Sequence, residues 1–89
     1  MIQKKFKITN ELGLHVRAAA LLVKTASKFK SDVFVSNGKE KINGKSIMGV
    51  TILAAVKDSI ITVTVNGEDE IIAMDALEDL IVRRTFDEN

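Results

Sequence analysis

The 89-residue chain contains no cysteine, which removes both a disulfide framework and a thiolate site from consideration. Charge of one sign is also missing. Thirteen basic against twelve acidic side chains leave a net charge of +1, whereas a dedicated nucleic-acid binder carries a concentrated basic face. Aromatic residues are scarce, four phenylalanines without tyrosine or tryptophan, so a platform for stacking bases is poorly supplied. Nucleic acid is therefore not an expected partner, and neither a metal nor a cofactor is expected. No apolar stretch approaches the length of a membrane span, and the opening Met-Ile-Gln-Lys-Lys-Phe-Lys lacks the apolar run of a signal peptide. Those two absences predict a cytoplasmic protein with no membrane insertion. Internal repeats, linkers and low-complexity segments are lacking too. Eighty-nine residues suffice for one modest core, so a single domain over residues 1–89 is expected.

What is present alternates short strands with amphipathic helices. Ile2, Phe6 and Ile8 alternate with Gln3, Lys5 and Lys7, a strand with one wet face; Lys4 interrupts the apolar side and is placed at the sheet margin. Ala19, Leu22, Val23, Ala26 and Phe29 recur at helical spacing and predict a helix over residues 16–29 with one stripe facing a core. Residues 32–36 read as a second strand and 39–42 as a third, joined by a two-residue hairpin turn at Asn37-Gly38. Ser46 has the position and chemistry of an N-cap for a second helix, residues 47–56. A fourth strand, residues 60–65, should turn Ile61, Val63 and Val65 inward and Thr62 and Thr64 outward. After Asn66-Gly67, the charges of Glu68, Asp69 and Glu70 complement the start of a third helix buried through Ala73, Ala76, Leu77, Leu80 and Ile81. Arg83 and Arg84 suit its end, and residues 85–89 read as a frayed tail. The order βαββαβα predicts an α+β fold, a four-stranded antiparallel sheet with three helices on one face.

The only histidine stands in Gly13-Leu14-His15-Val16-Arg17, between a loop and the first helix. At such a junction the first backbone N–H groups lack intrahelical partners and the helix dipole adds partial positive charge, which stabilises an anion, most often phosphate. Val16, Arg17 and Ala18 present those N–H groups. Arg17 adds a permanent cation with donors suited to phosphate oxygens. Imidazole supplies a nucleophile. Two readings fit: an indifferent surface cap, or a histidine that receives a phosphoryl group and hands it on.

A second stretch, Lys45-Ser46-Ile47-Met48-Gly49-Val50, is unusual for a helix start. Alanine at position 49 would be about 1 kcal/mol better for a helix, a cost that close approach by another surface would explain. Ile47 and Met48 beside it either form a small hydrophobic docking patch or pack beneath the first helix. Lys24 and Lys28 fall on the other side of the first helix, where they make a basic surface with Arg17.

Through residues 13–17, then Asn43-Gly44-Lys45-Ser46-Ile47-Met48-Gly49-Val50, then Gly67-Glu68-Asp69-Glu70, nearly the whole chain resembles the HPr family, the histidine-containing phosphocarriers of the bacterial phosphotransferase system. The resemblance implies an open-faced β-sandwich and a covalent relay rather than a stand-alone enzyme. His15 would accept a phosphoryl group on Nδ1 from phosphorylated Enzyme I and pass it to an acceptor protein of the sugar-permease or nitrogen type. Arg17 would balance phosphate charge, and Ser46 would be a regulatory site for an ATP-dependent HPr kinase/phosphorylase. Ala20, Lys24, Ile47, Met48 and Gly49 would form the partner-docking surface of a monomer. The family pattern Gly-Leu-His-Ala-Arg-Pro-Ala is departed from at Val16, for alanine, and at Ala18, for proline. Alanine also fits a first helical turn, and it leaves one more free N–H at the helix start. Residues 53–57 resemble proteobacterial HPr-like proteins of incomplete systems, and the alternative within the family is a regulatory phosphocarrier of a nitrogen-type or incomplete system that does not feed sugar uptake. A pure interaction module that never carries phosphate is opposed by the presence of both His15 and Arg17.

Overall fold

Alternation of apolar and polar side chains builds the strands β1 (Ile2–Lys7), β2 (Asp32–Ser36), β3 (Lys41–Asn43) and β4 (Ile60–Asn66). Apolar stripes at helical spacing build α1 (Val16–Ala26), α2 (Ile47–Leu53) and α3 (Glu70–Glu78). The computed structural model, which describes residues 1–88, joins the strands into one antiparallel sheet in the order β1-β4-β2-β3. Each crossover, β1 to β2 through α1 and β3 to β4 through α2, therefore links two parallel strands across an antiparallel one. Phe6, Val33, Val35, Ile61, Val63 and Val65 form the covered side of the sheet. Against them pack Ala19, Leu22 and Ala26 of α1, Val50 and Leu53 of α2, and Ala73, Met74 and Leu77 of α3. This is the α+β open-faced β-sandwich, with all three helices on one face. Lys4, on the helix side of β1, escapes burial because β1 is an edge strand; its Nζ meets a Glu78 carboxylate oxygen of α3 at 2.9 Å.

Several boundaries differ from the sequence expectations, each for a local reason. α1 ends at Ala26 rather than at residue 29. The N–H groups of Lys28 and Phe29 turn back three residues, to Thr25 and Ala26, and the Asp69 carboxylate takes the N–H groups of Lys30 and Ser31. Ala18, outside the expected stripe, is fully buried. The β2–β3 connection is not a two-residue turn. Asn37 Oδ1 accepts the N–H groups of both Lys39 and Glu40, so the ladder closes at Ser36 and Lys41 and β3 is shorter than expected. α2 stops at Leu53, three residues early, because Ala54 adopts a left-handed conformation and turns the chain inward. In α3 the buried stripe includes Met74, whereas Ala76 is only half-buried. Beyond it the chain widens into a π-type turn, Asp79–Arg83, that carries Leu80 and Ile81 into the core.

The expected frayed tail is overturned for residues 85–88; Asn89, the last residue of that expectation, lies outside the described residues. Thr85, Phe86 and Asp87 all have positive φ, at 45°, 56° and 55°. Left-handed backbone of this kind costs roughly 1–2 kcal/mol per residue. Offsetting it, the Phe86 ring is 2% exposed within the core, and a two-pronged Arg84–Asp87 pair spans the turn.

Candidate functional site

The site begins at Gly13, whose φ is +63° and whose backbone presses on the chain leaving α2. An added Cβ would stand 2.4 Å from the Ala55 carbonyl oxygen, so only glycine passes here. Leu14 then buries its side chain and donates its N–H to that same carbonyl at 2.8 Å. Thus pinned, the chain delivers His15 to the N-cap position of α1 in extended backbone, φ −75° and ψ 177°. The His15 carbonyl accepts the Ala19 N–H at 2.8 Å and opens the helical ladder. Its Nδ1 accepts the Arg17 N–H at 3.3 Å, the role a serine or aspartate side chain plays at most helix starts. An accepting Nδ1 assigns the proton of a neutral imidazole to Nε2. The side chain is 30% exposed, half-buried rather than open to solvent.

On the Nε2 side stands a carboxylate that sequence reasoning missed. Glu88 Oε2 lies 3.7 Å from His15 Nε2. Asn10 Nδ2 donates to Glu88 Oε2 at 3.0 Å, the Glu11 N–H to Oε1 at 2.6 Å, and the Leu12 N–H to Oε2 at 3.3 Å. Asn10 is itself buried and donates to the Gly13 carbonyl at 2.7 Å, so one amide ties the histidine loop to the chain end. The Asn10 bond, then the backbone bonds and the His15 ring, hold the Glu88 carboxyl below its ordinary value, against the opposing pull of partial burial. Asp87 is held low too, first by its bond from Arg84 and more weakly by the charge of Arg17. Leu12, His15, Arg17, Phe86 and Glu88 line a shallow depression of about 190 Å³. Phe86 was the available signal in the sequence, since a lone large apolar residue within a polar tail has reason to be buried.

The other candidate residues fall as follows. Arg17 and Val16 are exposed, and the N–H groups of Val16 and Ala18 make no hydrogen bond among the described residues. Ala20 and Lys24 are exposed on α1. Ser46 caps α2 by accepting the Gly49 N–H on its Oγ at 3.1 Å. Ile47 and Met48 do not pack beneath α1; they are 51% and 72% exposed. Gly49 has room for a side chain, since an added Cβ would come no closer than 3.4 Å to Ile42 and Ser46. Among the described residues no group of three or more His, Cys, Asp or Glu side chains is placed to hold a metal, and no helix is long and apolar enough to cross a membrane.

Comparison with known proteins agrees with this fold. Residues 2–83 match the family described as the PTS HPr component phosphorylation site. The chain is 48% identical over 84 residues to the phosphocarrier protein HPr of Xylella fastidiosa, covering 94% of each. It is 48% identical over 81 residues to the phosphocarrier protein HPr of Neisseria meningitidis, covering 91% of each. The crystal structure of HPr-C-His from Thermoanaerobacter tengcongensis superposes with a TM-score of 0.93 at 42% identity, over 100% of this chain and 99% of that one.

Proposed function

The chain belongs to the HPr family of the phosphotransferase system, and from that membership we propose that His15 accepts a phosphoryl group on Nδ1 from phosphorylated Enzyme I and passes it to an acceptor protein. One observation carries the assignment of the atom. Nδ1, not Nε2, faces the open helix start, where the Arg17 N–H already meets it. In transfer the Nδ1 lone pair forms the new N–P bond as the bond from phosphorus to the donor breaks, and the electron pair of that bond returns to the donor. The Arg17 N–H then loses its nitrogen partner and is free to bond a phosphoryl oxygen, beside the unpartnered N–H groups of Val16 and Ala18. The Arg17 guanidinium balances the phosphate charge where donor and acceptor meet. Release to the acceptor reverses these steps. The outward Ile47 and Met48, with Gly49, Ala20 and Lys24, dock both partners, and the relay works in the cytoplasm.

Incubation with Enzyme I and phosphoenolpyruvate tests the reading. The expected product is an acid-labile, base-stable phosphate on wild type that is absent from His15→Ala, a variant that should stay folded and lose only the about 0.5–2 kcal/mol of one helix cap. Phosphorylation of His15→Ala by Enzyme I would overturn the assignment.

Ser46 is the second acceptor in this reading, taking phosphate from an ATP-dependent kinase. A phosphate there sets about two negative charges beside Ile47 and Met48, at the rim of the surface that a partner must cover. Like charge brought against an acidic partner surface slows docking, and salt relieves part of that repulsion. Ser46→Asp should therefore melt as wild type does yet receive phosphate at His15 more slowly, with partial recovery in salt. Normal transfer in Ser46→Asp would reduce Ser46 to a helix cap.

A further inference from the structure

The sheet face turned away from the helices is not uniformly open. Two cross-strand rows run over it, Gln3–Thr64–Phe34–Asn43 and Lys5–Thr62–Ser36–Lys41. Where the rows meet, Gln3, Phe34, Ser36, Lys41, Thr62 and Thr64 enclose a dish of about 150 Å³. Thr64 points to this outward face yet is only 7% exposed, flanked directly by Gln3 and Phe34. The Thr62 and Thr64 hydroxyls make no hydrogen bond among the described residues, and Ser36 Oγ only accepts one, from the Gly38 N–H at 3.1 Å. All three hydroxyl protons are therefore free to donate. Lys41 Nζ is held 4.8 Å above the Phe34 ring centre, which keeps its ammonium at the wall of the dish. Lys5 closes the other end of the same row, and no carboxylate lines the cavity.

We propose that this dish binds a small phosphate, free or as a monoester. Five donor groups line it from all four strands: one ammonium, three hydroxyls and the Gln3 amide. A carboxylate has two oxygens to meet them, whereas a phosphate has three or four. A dish of about 150 Å³ has room for a phosphate group. The Lys41 charge supplies the sign. The site lies on the opposite face from α1 and takes no residue from the phosphoryl relay, so it stands or falls separately from that reading.

Titration of ¹⁵N-labelled protein with inorganic phosphate, and in parallel with glycerol 3-phosphate, tests it by amide chemical shifts. Saturable shifts are expected at Gln3, Ser36, Lys41, Thr62 and Thr64, distinct from any shifts at the His15 helix start. Lys41→Ala should weaken this binding about fivefold, the upper end for a partly solvated charge pair. Thr62→Val should weaken it as well while keeping its melting temperature and its phosphorylation by Enzyme I. Tighter binding of glycerol 3-phosphate would identify the monoester as the ligand, and equal binding the free ion; either supports the site. Shifts that fail to saturate, that stay confined to the His15 end, or that persist unchanged in both variants would overturn it.

Discussion

Glu88 and His15 come from opposite ends of the chain, yet the Glu88 carboxylate sits 3.7 Å from Nε2 while Nδ1 faces the helix start on the other side of the ring. The two nitrogens thereby have different surroundings. A ring phosphorylated on Nδ1 with its proton kept on Nε2 carries positive charge, and Glu88 is placed to stabilise it. The same carboxylate also repels an incoming phosphoryl group. Position decides between these effects in the proposed relay, because Glu88 lies on the Nε2 side and the phosphoryl group would arrive at Nδ1. Glu88→Gln should slow phosphorylation by Enzyme I about twofold to fivefold, the range for a partly solvated ion pair. Faster phosphorylation of Glu88→Gln would show that repulsion dominates.

Asp69 makes a second clasp, away from the site. Its carboxylate accepts the N–H groups of Lys30 and Ser31, at 2.9 Å each, and the Ser31 hydroxyl. The Ser31 hydroxyl foremost, then the backbone bonds, lower its carboxyl from 3.8 to about 2. A carboxyl more acidic in the folded than in the unfolded chain adds stability that is complete above the unfolded value and is lost as pH falls through the folded one. Urea midpoints should therefore drop between about pH 4 and pH 2, less steeply in Asp69→Asn, which should also be the less stable of the two at neutral pH. The remaining slope belongs to Glu70, Glu78, Asp87 and Glu88, all held low by their own partners. Parallel acid profiles for wild type and Asp69→Asn would place this part of the acid sensitivity elsewhere.

Much of this arrangement is legible in the sequence, and what is not shares one cause. Alternation in β1, β2 and β4 and the stripe Ala19, Leu22, Val23 and Ala26 are local signals, so the order of elements and the one-sided core follow from them. His15 and Arg17 were visible because residue type and a helix start coincide. The charge of Asp69 is expected to complement the start of the third helix, yet its bonds run to residues 30 and 31, a partner nearly forty positions away. Ala54 carries no sign of a left-handed turn; the turn arises where Gly13 and Leu14 must meet Ala55. Glu88 likewise gains meaning only from Asn10, Glu11 and Leu12. Contacts between distant segments overrode local preference in each case, and periodicity does not encode them.

Gly49 divides fold from docking. The added methyl of alanine would make ordinary contacts with Ile42 and Ser46, and alanine is the better helix former by about 0.5–1 kcal/mol. Gly49→Ala should therefore raise stability by about that amount. If the glycine exists to let a partner approach Ile47 and Met48, the same variant should raise the concentration of protein that half-saturates Enzyme I. A variant both more stable and unimpaired in docking would show that neither fold nor partner requires glycine there.

Ala18 sets a donor against a core position. Its side chain is fully buried, and its N–H stands at the helix start without a partner among the described residues. Proline at this position would forfeit no bond within the helix, since the first N–H groups have none to lose. It would restrict the unfolded chain, worth about 0.4–1 kcal/mol, but its ring atoms would need space in a filled site, where overpacking costs about 1–3 kcal/mol. Stability of Ala18→Pro should therefore change little or fall, by up to about 2.5 kcal/mol. The effect on phosphate is separate. In the proposed relay a free Ala18 N–H would add one donor to those facing a phosphoryl group on Nδ1, and losing a hydrogen bond of about 1 kcal/mol shifts an equilibrium about fivefold. At equilibrium with Enzyme I and phosphoenolpyruvate, Ala18→Pro should hold about fivefold less phosphate relative to its unphosphorylated form, and the phosphohistidine should hydrolyse faster. Melting curves separate the two effects, because a packing defect lowers the melting temperature and a lost donor does not. Unchanged phosphate occupancy in a variant that melts normally would mean that Val16, Arg17 and the guanidinium hold the phosphoryl group without help from Ala18.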